Sequence, residues 1–207
     1  AHLDAKIGEY LTCLARSGTA DSTIVIYTSD HGAQFPGGKW TCYEPGLRVP
    51  FLLRWPVLVQ AGSATSALVQ HVDVLPTLIE ALGDDPAALD TGRLGGPNGG
   101  KTFDGSSFLD VLTGRKHAHR DTVFGVHTQH GTINGVPYPV RSVYDGRCKY
   151  IVNRCHQTEY SNALTAPPNP RHENAYWQEW LAATKAGPRA SFLVERYLRR
   201  PPEELYD

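Results

Sequence analysis

The feature that most constrains the fold is a change of pattern near the N-terminus. Leu3, Ile7, Leu11 and Leu14 recur at helical spacing, with Lys6 and Glu9 between them and Arg16 just after, and Gly18 stands where a left-handed cap belongs. This predicts an amphipathic helix over 2–17. The next apolar run, TIVIYT at 23–28, is short, rich in β-branched residues and apolar on both faces, as expected of a strand sandwiched between helix layers in a parallel sheet. A helix followed by such a strand specifies an α/β fold. After a loop at 29–47, RVPFLLRWP predicts a second short strand closed by Pro56. Asp73 is placed to cap a helix running to about Leu82, with Pro76 tolerated in the first turn and Leu75, Leu78, Ile79 and Leu82 on one face.

Residues 83–105 are rich in Gly and Asp and have no periodicity, which predicts a long surface loop. Within it, Gly95, Gly100, Lys101 and Thr102 satisfy the letters of a phosphate-binding loop, but no strand precedes them and no amphipathic helix starts after Thr102, so the context excludes one. SSFLDVLTG supplies a short helix ending at Gly114. From about residue 121 the pattern changes: TVFGVHT reads as a strand, and YPVRSVYDGRCKYIVN as a hairpin turning at Asp145-Gly146. ENAYWQEWLAATK and SFLVERYLRR read as helices, and ELYD as extended chain. The organisation expected is the C-terminal part of a mainly parallel sheet flanked by helices over 1–120, followed by a smaller α+β subdomain with antiparallel strands over 121–207.

A chain of 207 residues can bury a sizeable core. Twenty basic and twenty-one acidic residues, with no long run of like charge, argue against nucleic acid as a partner. No stretch approaches the roughly 18 apolar residues of a membrane span, and AHLDAKIGEYL lacks the parts of a signal peptide. The chain contains no methionine and stops at ELYD, where a strand is beginning; the expectation is a piece of a longer protein. Cys13, Cys42, Cys148 and Cys155 show no C-x-x-C spacing, which argues against a zinc knuckle. Buried free thiols are expected, with a Cys148–Cys155 disulfide as the alternative.

The chemistry concentrates after the first strand, where side chains of an α/β sheet emerge into a cleft. Asp30 and His31 pair a carboxylate with an imidazole, a donor set that suits a divalent cation, and Gly32 lets the backbone turn away. Lys39 follows in a loop made pliable by Gly37 and Gly38; its ammonium is a compact charge able to neutralise a tetrahedral oxyanion. The competing reading is a plain turn with a solvated lysine.

The string TIVIYTSDHG…PGGKWTCYEPGLRVPFLLRWP resembles the second metal-binding signature of the sulfatase family, in the alkaline phosphatase superfamily: a strand, S-D-[NH]-G, a lysine or arginine, then Y-E-x-G-x-R-V-P. QHVDVLPTLIEALG, FDGSSFLDVLTG and RRPPEELYD are similar to later segments of that family, and TVFGVHTQHGTI…YPVRSV is most similar to its heparan N-sulfatase (sulfamidase) branch.

The resemblance implies Asp30 and His31 as metal ligands and Lys39 as the cation contacting the sulfate and the nucleophile. It implies a divalent metal, Ca2+ first, with Mn2+ or Zn2+ open because of the imidazole at 31. It also implies a formylglycine made from cysteine in Cys-x-Pro-x-Arg. None of the four cysteines lies in such a motif, so the nucleophile and the remaining acidic ligands are expected in an N-terminal half, and this chain alone is expected to be inactive. His127 and His130 are candidates for contacting a sulfated sugar, or ordinary loop residues. Glu44 and Arg48 are expected to pair and brace the Lys39 loop, with direct catalysis as the alternative. Trp177 and Trp180 are expected to pack, with a carbohydrate platform as the alternative. Family members are commonly periplasmic, secreted or lysosomal. Two other readings stand beside the sulfatase: a phosphodiesterase or phosphonate hydrolase of the same superfamily, and a non-catalytic module binding sulfated glycans.

Overall fold

The structure is a computed structural model that describes residues 2–92, 102–128, 137–165 and 175–207. In chain order the elements are α1 (His2–Arg16), β1 (Val25–Thr28), α2 (Glu44–Leu47), β2 (Phe51–Arg54), α3 (Val74–Ala81), α4 (Leu109–Leu112), β3 (Val123–His127), β4 (Val140–Tyr144), β5 (Lys149–Asn153), α5 (Ala175–Ala183), α6 (Pro188–Leu198) and β6 (Glu203–Tyr206). They form two compact units, one of residues 1–28 and 51–121, the other of 29–50 and 122–207. The segment 29–50, assigned by sequence to the first domain, thus groups with the second unit.

In the first unit α1 ends where Gly18 takes a φ of +73°, the left-handed cap its position predicts. The fold is mixed α/β as expected, but β1 pairs with β2 antiparallel, Val25 opposite Arg54 and Thr28 opposite Phe51, so the parallel pairing expected of these strands is corrected. The reason lies in the connection: parallel neighbours need a long crossover, usually a helix, whereas residues 29–50 contain only the four-residue α2 and return the chain in the opposite sense. β1 is also only half-buried along Val25–Tyr27 rather than sandwiched.

α3 presents Val74, Thr77, Leu78 and Ala81 to an apolar gap shared with Ile26 and Leu53. That face differs from the one expected, since Leu75 and Leu82 are exposed, 54% and 81%. Apolar residues occupy nearly every turn position of VLPTLIEAL, so periodicity alone does not choose the face. Nor does the Asp73 side chain cap α3. It accepts the amides of Gln70 (2.9 Å) and Ser106 (3.0 Å) and both nitrogens of the Arg120 fork, tying three segments together while fully buried. Thr77 continues the link, its hydroxyl donating to the Asp73 carbonyl and accepting the Phe108 amide, which seats α4.

The second unit is a four-stranded antiparallel sheet in the order β3-β4-β5-β6. The β4–β5 hairpin turns where expected: Gly146 has a φ of +96°, and the Asp145 carboxylate accepts the amides of Arg147 and Cys148. Val140, Ser142, Lys149, Ile151 and Asn153 are buried, the period of two that one covered face requires. The core gathers Cys42, Tyr138, Val140, Ile151, Tyr160, Trp177, Val194 and Tyr197. Trp177, 2% exposed and 5.4 Å from the Tyr197 ring, is a core residue with Trp180 packed against it, which decides for packing over a carbohydrate platform. Burial of a ring covering about 200 Å2 contributes about 5 kcal/mol before entropy is counted. All four cysteines are free; Cys42 is buried, Cys13 exposed, and Cys148 and Cys155 half-buried.

Candidate functional site

The loop carrying the candidate residues is folded by close backbone approaches. The Gly32 amide donates to the Gly46 carbonyl (3.0 Å) and the Lys39 amide to the Ala33 carbonyl (2.9 Å). The chain therefore returns on itself, and the backbone of Lys39 lies against a residue two positions after His31. Gly32 serves this by its missing side chain rather than by a special turn: a Cβ there would stand 1.7 Å from the Pro45 carbonyl oxygen.

Two residues beyond β1, Asp30 and His31 approach one another, Oδ2 to Nε2 at 3.4 Å. His31 Nδ1 is bonded to the Gly32 carbonyl at 2.8 Å. A carbonyl only accepts, so Nδ1 carries the proton, and in the neutral ring Nε2 presents its lone pair. A carboxylate oxygen and an imidazole lone pair side by side fit a shared cation; neighbouring ligands each about 2.4 Å from one ion are about 3.4 Å apart at right angles. Among the described residues no group of three or more His, Cys, Asp or Glu side chains gathers to complete a shell. The Asp30 carboxylate is largely open, 83% exposed, so further donors can reach it.

Lys39 is half-buried, and its Nζ lies 4.9 Å from the centroid of the Trp40 ring. Among the described residues no carboxylate pairs with it, which leaves the ammonium for an anionic ligand. The expected Glu44–Arg48 brace is corrected: the Glu44 carboxylate pairs with Lys149, itself 5% exposed, and Arg48 meets Glu44 only through its backbone amide. A buried ammonium is the stronger claimant, since leaving it unpaired is costly, whereas Arg48 is exposed.

His127 ends β3 with Nε2 buried and without a hydrogen-bond partner among the described residues. Burial, then the charge of Arg200, pulls its pKa down, so the ring stays neutral near neutral pH. His130 lies outside the described residues, as does most of the glycine-rich string at 95–102. His71 is structural: its Nε2 meets the Thr28 hydroxyl at 3.2 Å.

Sequence reasoning missed the supports of this loop. Arg200, 3% exposed, lies 3.6 Å from the Tyr160 ring centroid, with Tyr43, Tyr197 and Tyr138 within 5.8 Å. Glu204 accepts from the Tyr43 hydroxyl (3.0 Å) and Asn153 Nδ2 (2.7 Å). Tyr176 donates to the Gln34 carbonyl (3.0 Å). Tyr160, Tyr176, Arg200 and Glu204 lie more than a hundred residues from the loop, and no local spacing signals them.

The sulfatase family model matches residues 1–84, the helix, strand, loop and second strand just described. An ulvan-active sulfatase of Formosa agariphila is 32% identical over 191 residues, 90% of this chain and 31% of that protein. This chain belongs to the sulfatase family. An N-acetylglucosamine-6-O-sulfatase of Bacteroides thetaiotaomicron is 36% identical over 85 residues, 39% of the chain and 15% of the relative. A protein solved in complex with its substrate D-glucosamine-2-N,6-O-disulfate shares the fold, with a TM-score of 0.60 at 21% identity over 96% of this chain and 39% of that one. The chain spans about a third of the length of that ulvan-active sulfatase.

Proposed function

We propose that this chain is the part of a metal-dependent sulfatase that supplies one edge of the cation shell and the sulfate-contacting lysine, acting on O- or N-sulfated sugars. The observation that carries the reading is the Asp30–His31 pair, a carboxylate oxygen 3.4 Å from a ring nitrogen whose partner nitrogen is engaged by the Gly32 carbonyl. Asp30 and His31 would hold a divalent ion, Ca2+ in the first instance, with Mn2+ or Zn2+ suited by the imidazole. When bound, the ion supplies Lewis-acid stabilisation of charge on sulfuryl oxygens. Lys39 adds a fixed positive charge to the same oxygens. The nucleophile, a formylglycine, belongs to the N-terminal half of the same protein, so the isolated chain does not turn over. Sulfated sugars are favoured as substrates because relatives named for ulvan and N-acetylglucosamine-6-O-sulfate, and a fold neighbour bound to a disulfated glucosamine, share the scaffold. Assignment to the sulfamidase-like branch, and hence N- over O-sulfate, rests on the resemblance around 121–143.

The test uses the full-length protein with sulfated glucosamines. Lys39→Ala is expected to lower kcat by about a hundredfold or more, the scale of losing one oxyanion-stabilising group. Asp30→Ala is expected to abolish divalent-ion binding measured by calorimetry. Turnover by residues 1–207 alone, or unchanged metal affinity in Asp30→Ala, refutes the assignment.

A further inference from the structure

Beside the candidate sulfate-binding lysine stands the only non-glycine residue with a positive φ among the described residues, Trp40 at +68°. A bulky side chain adopts this left-handed conformation at a cost, and the conformation persists only where the surroundings impose it. The imposing group is identifiable: the Tyr160 hydroxyl donates to the Trp40 carbonyl at 2.5 Å. Tyr160 is fully buried, with Arg200 stacked 3.6 Å from its ring centroid. Asn162 Nδ2 donates to its hydroxyl at 3.2 Å and to that of Tyr197 at 2.9 Å, so the clamp is itself fixed. Beside this backbone the indole face lies under the Lys39 ammonium, 4.9 Å from centroid to Nζ. A lysine in a glycine-bounded loop otherwise samples many rotamers. An aromatic face confines the ammonium and, unlike a carboxylate, leaves its charge free for an anion.

We propose that Trp40, held left-handed by the Tyr160 hydroxyl, is a positioning residue that fixes the Lys39 ammonium for a sulfuryl group. The inference rests on the reading of Lys39 given above, and the experiment separates the two. In the full-length protein, affinity for inorganic sulfate is measured by calorimetry, together with kcat, KM and the thermal midpoint. The variants are Lys39→Ala, Trp40→Leu, Trp40→Phe, Tyr160→Phe and the double variants Lys39→Ala/Trp40→Leu and Lys39→Ala/Tyr160→Phe. Trp40→Leu and Tyr160→Phe are each expected to weaken sulfate binding about three- to tenfold. Trp40→Phe, which keeps a ring face, retains most of the affinity. In the Lys39→Ala background, Trp40→Leu changes sulfate affinity by less than about twofold, because its effect runs through the lysine.

If Lys39→Ala weakens sulfate but Trp40→Leu has no effect, or the same effect in both backgrounds, the positioning role is overturned while Lys39 keeps its own. If Lys39→Ala leaves sulfate affinity and turnover unchanged, the reading of Lys39 falls, and this inference with it. Should Trp40→Leu lose its cooperative melt, the Tyr160→Phe and Lys39→Ala cycle decides by the same rule.

Discussion

Replacing Asp73 by Asn tests how the first unit is held together. Asp73 Oδ1 accepts the Ser106 amide and one Arg120 nitrogen; Oδ2 accepts the Gln70 amide (2.9 Å) and Arg120 Nε (2.8 Å). These four groups are all donors, and His119 Nε2 lies 3.4 Å from Oδ2 without a hydrogen bond. An asparagine amide turned either way points its NH2 at two of them, losing one bond to a backbone amide and one to a guanidinium. A neutral bond contributes about 1 kcal/mol and a charged one about 1.5–3 kcal/mol, and Arg120 loses its counter-charge as well, so the expected loss is about 3–5 kcal/mol. Burial raises the Asp73 pKa, but Arg120 and the two amides outweigh it and hold the group below the ordinary carboxylate range. The sign follows: its stabilisation is complete above the unfolded value of about 3.9 and is lost as pH falls through the lower folded value. Urea unfolding of the purified protein at neutral pH, repeated down the acid limb, measures both effects. A loss under about 1 kcal/mol, or an acid limb as steep in Asp73→Asn as in the parent, refutes the account.

Gly32→Ala puts a Cβ 1.7 Å from a backbone oxygen, an overlap no rotamer relieves; it is expected to cost about 1–3 kcal/mol and to disrupt divalent-ion binding, both measurable on the full-length protein. Burial raises the pKa values of Tyr43, Tyr160 and Tyr197, so these phenols stay neutral in the fold beyond the unfolded value of about 10, and stability falls as pH rises past it. Phenolate absorbance is therefore expected to lag that of the unfolded chain and to rise with unfolding; full titration in the folded protein contradicts this. Cys13 is exposed whereas Cys42 is 1% exposed and its thiol is pushed up by burial, so a thiol reagent near pH 8 labels Cys13 quickly and Cys42 only on unfolding. Equal labelling rates for the two overturn the placement of Cys42.

What the sequence made legible were features written within a few neighbours. Gly18 closes α1, Asp145-Gly146 turns the hairpin, and the periodicity of SFLVERYL appears as α6. Asp30, His31 and Lys39 were found by spacing after a strand, and the structure brings the first two together and returns the backbone of the third toward them. What failed depended on distance. Glu44 chose Lys149, 105 positions away, over a residue one helical turn along, because the buried ammonium had more to lose. The apolar face of α3 was ambiguous since both sides are apolar, and only the chains packed against Leu78 and Ala81 decide it. The role of Gly32 was misread as freedom of turning when the need is for space.

The segment 29–50 lies between β1 and β2 in sequence yet takes its supports from the C-terminal unit. Tyr160 fixes Trp40, Glu204 holds the Tyr43 hydroxyl, Lys149 holds Glu44, and Gly125 leaves room for Leu47, whose Cδ1 would stand 2.4 Å from a Cβ there. Each support enters from a different element, so none alone decides whether the loop forms, but each constrains a different residue within it. The tether nearest Lys39 is the Tyr160 hydrogen bond to Trp40, and it acts on the one backbone conformation in the loop that a non-glycine residue resists. A substitution in the distant sheet that shifts Tyr160 therefore bears on the ammonium more directly than one that loosens Glu44, even though the Glu44 pair is the stronger electrostatic contact. For a charge that must meet an anion at hydrogen-bond distance, the backbone angle next to it matters more than the total strength with which the loop is held.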